Sequence, residues 1–146
     1  MARFNFRLQS YLNVKEQLED LKKNEYGIAL QRLEEERQRK AMLEQELAEN
    51  VILFKRVLST TIEPVEIRRY NSRIEILKVW IIQQEERIEV AKKNAEVKRL
   101  ELVEAMKDRK TLETVKERNY EEHLKEEQRA EQVVVDGIVS YQYAKL

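Results

Sequence analysis

From Ile67 onward, apolar residues return every seven positions. With Ile67 as position a of a heptad, Ile74, Ile81, Ile88, Ala95 and Leu102 follow at a, and Tyr70, Leu77, Gln84, Ala91, Lys98, Ala105 and Leu112 fall at d. A sustained a/d repeat is the pattern of a helix in a left-handed coiled coil. Gln84, Lys98 and Arg109 interrupt it. Polar layers of this kind weaken a seam but fix its register.

The first half of the chain is less regular. Its apolar stripe reads Val14, Leu18, Leu21, then Tyr26, Leu30, Leu33, then Leu43, Leu47, Val51, Phe54 and Leu58. The step from Leu21 to Tyr26, beside Gly27, breaks the 3-4 spacing and predicts a local irregularity in an intact helix. Between the halves, "LSTTIE" leads into Pro64, the only proline. Proline suits the first turn of a helix and disfavours helical backbone in the residue before it. The reading is therefore all-α: one long antiparallel two-helix hairpin, a single domain over 1-146. Helix 1 covers about 5-58, the turn 59-63, helix 2 about 64-135 and a C-terminal tail 136-146. Thr60, Thr61 and Glu63 are the candidate N-caps, with Thr61 favoured.

Folding the chain at the turn pairs Ile67 with Leu58, Tyr70 with Phe54, Ile74 with Val51, Leu77 with Leu47 and Ile81 with Leu43. Apolar residues oppose apolar ones throughout, which favours a hairpin over a parallel dimer of one unbroken helix. The arms are unequal, about 80 Å and about 105 Å at the helical rise. Residues beyond about Tyr120 have no partner within the hairpin, although "VVVDGIVSYQY" is strongly apolar. Gly137 is expected to end or loosen the second helix.

Composition narrows the function. Charged residues make up 38% of the 146 positions, with two glycines and no cysteine. That mixture belongs to long helices and coiled coils. Lys+Arg and Asp+Glu balance at 28 each, so bulk electrostatics do not favour nucleic acid. Without cysteine, disulfide frameworks and thiolate metal sites are excluded. The only histidine, His123, lies on the a phase and reads as structural. No P-loop, metal or catalytic constellation emerges, so no enzyme, cofactor, metal or small-molecule site is expected. No run is apolar and long enough to span a bilayer, and "MARFNFRLQS" lacks the core of a signal peptide. A soluble cytoplasmic protein is expected.

One apolar run exceeds what a seam needs. In "EILKVWIIQQ", Leu77 and Ile81 face the first helix, whereas Ile76, Val79 and Trp80 fall at c, f and g. These three form a second stripe, and an exposed tryptophan beside two aliphatics suits a protein-binding face. Charge is also uneven: basic residues gather near the turn and acidic ones at Glu121, Glu122, Glu126, Glu127 and Glu131.

The chain resembles the FliJ family of the bacterial flagellar export apparatus. The resemblance rests on "FNFRLQSYL" (4-12), the short turn after roughly sixty residues, "RRYNSRIEIL" (68-77) and "RKTLETVKERNYEEHLKEEQRAEQVVVDGI" (109-138). Asp136-Gly137-Ile138 departs from the family's usual Asp-Glu-Ile. The resemblance implies a hairpin similar to the central shaft of rotary ATPases. Its terminal end would enter the pore of the hexameric export ATPase and promote ring assembly. Its turn-proximal part would contact the cytoplasmic domain of the export-gate membrane protein, and it would escort export chaperones. Gate or chaperone contacts are then expected near Leu43, Leu47, Val51, Tyr70, Ile76 and Trp80, with Val79 added from the stripe. ATPase contacts are expected from Phe4, Phe6, Leu8, Tyr120, Val133 and Val134. The chain would sit in the cytoplasm at the flagellar base, peripheral to the membrane through these partners. The alternatives are the equivalent stalk of an injectisome-type secretion system, a nucleic-acid-binding coiled-coil arm and a purely structural homodimer.

Overall fold

The computed structural model describes residues 3–60 and 63–145. Two helices account for nearly all of them, α1 (Gln9–Thr60) and α2 (Pro64–Lys145), packed against each other. No strand occurs among the described residues. The contacts gather into two compact units, one of Met1–Lys22 with Leu102–Leu146 and the other of Lys23–Glu101. Each unit pairs a stretch of α1 with a stretch of α2.

The heptad frame of α2 holds in the burial pattern. Ile74, Leu77, Gln84, Ala91, Ala95 and Ala105 are buried, and Ile67, Tyr70, Ile81, Ile88, Lys98 and Leu112 are half-buried. Leu77 is completely covered, which is worth about 1.5–3 kcal/mol for a leucine side chain. On α1 the seam differs from the apolar stripe. Its covered positions run Leu12, Lys15, Glu19, Lys22, Tyr26, Ala29, Leu33, Glu36, Lys40, Leu43, Leu47, Asn50, Phe54 and Val57. These alternate steps of three and four without interruption. Val14, Leu21, Leu30 and Leu58 are exposed instead. The expected break near Gly27 is absent because polar and small residues occupy the seam where apolar ones were sought.

In the unit of Lys23–Glu101, the ring centroids of Phe54 and Tyr70 lie 6.3 Å apart, as the folded-back register requires. The polar layers are matched across the seam. Gln84 donates from Nε2 to the Glu36 carbonyl at 2.9 Å and also to the Glu36 carboxylate. Lys98 meets Glu25 at 3.6 Å, and Lys40 meets Glu85 at 3.3 Å. In the other unit Arg109 binds the buried Glu19, and Lys15 meets Asp108 at 3.5 Å. The hydrogen bonds that Arg109 donates, to Glu113 first and then to Glu19, hold its guanidinium pKa above its ordinary value.

The helix ends depart from expectation at three points. α1 begins at Gln9, not near residue 5. Residues 3–6 are not helical, and Phe4 and Phe6 are both covered. Alternate residues share a side in extended chain but not in a helix, so an extended start lets both rings pack. α1 then continues to Thr60, past Leu58. There the Ser59 and Thr60 hydroxyls donate to the Arg56 carbonyl at 2.8 and 2.9 Å, supplying a partner at a helix end. Thr61, the favoured N-cap, lies outside the described residues. Glu63 occupies the N-cap position of α2, since its carbonyl accepts the Ile67 N–H at 3.1 Å and Pro64 is the first helical residue.

α2 also continues through Gly137 to Lys145 where a tail from residue 136 was expected. Neither Gly27 nor Gly137 has a positive φ, and a Cβ at either would meet nothing within 4 Å. Each carries only glycine's helical penalty, about 1 kcal/mol relative to alanine, too little to end a helix inside a favourable run.

Two measurements test this packing. Cysteines replacing Leu47 and Leu77 in this cysteine-free chain form an intramolecular disulfide even at high dilution; crosslinks solely between chains would rule out the antiparallel monomer. Gln84→Leu leaves the buried Glu36 carboxylate without its amide donor and lowers unfolding stability by about 1–3 kcal/mol. Adding Glu36→Leu recovers most of that loss. Additive losses in urea titrations would show that the pair is not coupled.

Candidate partner-binding surfaces

The first surface lies in the unit of Lys23–Glu101. Of its expected residues, the structure places Leu43, Leu47, Val51 and Tyr70 in or at the seam, each half-buried. Tyr70 is engaged with Phe54 there. Ile76, Val79 and Trp80 stand outside it, with Val79 51% and Trp80 42% exposed. The expected set therefore splits into four residues that hold the hairpin and three that face solvent.

Trp80 has a fixed setting. The Arg73 guanidinium lies 5.3 Å from the centre of its ring, and the same guanidinium binds the Glu46 carboxylate of α1. Glu46 thus steadies Arg73, and Arg73 steadies the indole by a cation–π contact. Arg73 and Glu46 were absent from the residues expected by sequence. A signal existed: Arg73 and Trp80 are both at g, seven residues apart on one helix edge. Holding an aromatic side chain in one orientation before a partner arrives reduces the ordering cost of binding.

The second surface lies in the unit that joins the chain's two terminal stretches. Phe4 sits edge-on to Tyr120, with ring centroids 5.2 Å apart, and tilts against His123 at 5.4 Å. His123 Nε2 lies 3.3 Å from Glu127 Oε1. Phe6 is only 5% exposed. Lys116 Nζ is 6.0 Å from the Phe6 ring centre and donates to Gln9 Oε1 at 2.7 Å. The two phenylalanines therefore fasten the segment before α1 onto α2. Leu8 and Tyr120 keep an exposed side.

Beyond this clasp none of the described residues covers α2. Every residue from Gln128 to Lys145 is exposed, including Val133, Val134, Val135, Ile138, Val139, Tyr141 and Tyr143. Seven large apolar or aromatic side chains on one uncovered helical stretch exceed the scattered exposure usual on a monomer. Among the described residues, no group of three or more histidine, cysteine, aspartate or glutamate side chains could hold a metal ion. Among them, too, no helix is long and apolar enough to cross a membrane.

Both surfaces expose apolar side chains among charged ones. The family model described as "Flagellar FliJ protein" matches residues 4–145. Neither the curated proteins nor the solved structures include a match.

Proposed function

We propose, from the premise that this chain belongs to the FliJ family and is a component of the flagellar export apparatus, that it acts there as a non-enzymatic coiled-coil stalk. Its terminal stretches engage the export ATPase ring and promote ring assembly. Its Trp80 face contacts the cytoplasmic domain of the export gate. The same face receives export chaperones that have released their cargo. The protein then works in the cytoplasm at the flagellar base, held near the membrane by its partners.

The observation that carries this reading is the bare apolar stretch Gln128–Lys145. A helix in water gains little from valine, isoleucine and tyrosine unless something covers them. A ring pore that encloses the helix covers it on all sides, whereas a flat surface covers one. The acidic side chains Glu121, Glu122 and Glu126 precede this stretch on α2, Glu131 lies within it, and together they would orient it against a basic pore lining. At the other surface, Trp80 has the features of a binding hot spot: aromatic, half-exposed and held by a charged neighbour.

Two experiments test the two contacts separately. Removing residues from Val133 onward weakens stimulation of ATPase ring assembly, while circular dichroism and thermal melting of the paired region hardly change. Undiminished stimulation would overturn the pore assignment. Trp80→Ala weakens binding to the gate domain by about 1–3 kcal/mol, and the melting temperature falls little because the a/d seam is untouched. Unchanged affinity by calorimetry would remove Trp80 from the gate contact.

A further inference from the structure

Within the unit of Lys23–Glu101, the outer face of α2 carries an apolar stripe that neither surface above uses in full. It reads Val79, Ile82, Glu86, Val90, Lys93, Val97 and Leu100, at successive steps of three, four, four, three, four and three. At 3.6 residues per turn these seven side chains fall within about 80° of arc. That arc is centred opposite the a/d seam formed by Leu77, Gln84, Ala91 and Ala95. All seven are exposed, and the five apolar ones are each more than half so.

The order of residues is the informative feature. Read inward from either end, the stripe gives two apolar residues, then one charge, then Val90 at the centre. The two charges have opposite signs. An antiparallel copy of the same stripe, turned about a two-fold axis beside Val90, would place Val79 opposite Leu100, Ile82 opposite Val97 and Glu86 opposite Lys93. Every one of these pairings then occurs twice, as an isologous contact requires. A parallel copy would instead oppose Glu86 to Glu86 and Lys93 to Lys93.

We infer that this stripe is a self-association surface, on which a second copy of the chain packs antiparallel through α2. The apolar pairs at both ends supply the attraction, and the two Glu86–Lys93 pairs set direction and register. A stripe about 32 Å long buries less than the roughly 1,200 Å² of a standard stable interface, so the dimer is weak and reversible. Val79 belongs both to this stripe and to the Trp80 face. Pairing therefore competes with any partner that docks over Val79.

Charge exchange tests the arrangement. Sedimentation equilibrium on the full chain, from about 10 μM to 1 mM, spans the affinities of weak dimers. The wild-type chain is expected to dimerise within that range. Glu86→Lys alone and Lys93→Glu alone each create two like-charge pairs and weaken dimerisation by about tenfold or more. An equimolar mixture of the two single variants restores it as a heterodimer, and the double variant restores it as a homodimer. Circular dichroism should show all three variants as helical as the wild type, since both positions are exposed. A wild-type chain that stays monomeric would overturn the inference, and would leave the stripe to a helix of another protein. So would single variants that dimerise as the wild type does, or a mixture that fails to recover.

Discussion

The fold depends on matching polar side chains inside the seam with partners on the opposite helix. Two helices side by side bury a strip, not a wide core, so an unmatched polar group at the seam would not be outweighed by surrounding apolar contacts. Gln84 with Glu36, Lys98 with Glu25 and Arg109 with Glu19 meet that requirement. Each pair also forbids sliding. A shift of α1 by one heptad would leave the Glu36 carboxylate and the Gln84 amide facing apolar neighbours. The apolar layers around Leu77 supply the attraction, and the polar layers select one alignment.

Once the alignment is set, the exposed features follow. The seam consumes a and d on both helices, so anything apolar at c, f or g has no cover from the hairpin. Ile76, Val79 and Trp80 are left out for this geometric reason, and Trp80 is then steadied by the Arg73–Glu46 pair. The unequal arms have a similar result at the other end. Phe4 packs on α2 against Tyr120 and His123 and Phe6 beside Lys116, and every residue of Gln128–Lys145 is exposed. The exposed apolar surfaces here are what an antiparallel register leaves uncovered.

Much of this was legible in the sequence. The α2 frame could be read because isoleucine, leucine and alanine mark a and d for several heptads, and its polar interruptions were already visible. The hairpin was legible from Pro64 and from the opposed apolar residues beside it. α1 was harder to read, since Lys15, Glu19, Lys22, Glu36 and Lys40 fill seam positions while Val14, Leu21 and Leu30 face solvent. A pattern built only on apolar residues drifts out of phase there, and the partner helix is needed to restore it. The extended start was missed because period-two packing of Phe4 and Phe6 is a short signal beside a long helical one. The end of α2 was misjudged by giving Gly137 more weight than its penalty merits. The Trp80 surface was found from its heptad positions. Its supporting arginine was not, because the link through Glu46 spans both helices.

The sequence separations of the contacts also bear on the order in which the seam closes. The cross-helix bonds grow steadily longer in sequence: 27 residues for Arg73–Glu46, 48 for Gln84–Glu36, 90 for Arg109–Glu19 and 107 for Lys116–Gln9. Closing a loop costs more entropy as it lengthens, but a pair beside an already closed one needs only a short extension. By this reasoning the two helices close from the turn outward. The pairs farthest from the turn are then the last to form. Phe4 then reaches Tyr120 and His123 only after the pairs nearer the turn have closed, so the clasp at Phe4 also opens without disturbing them.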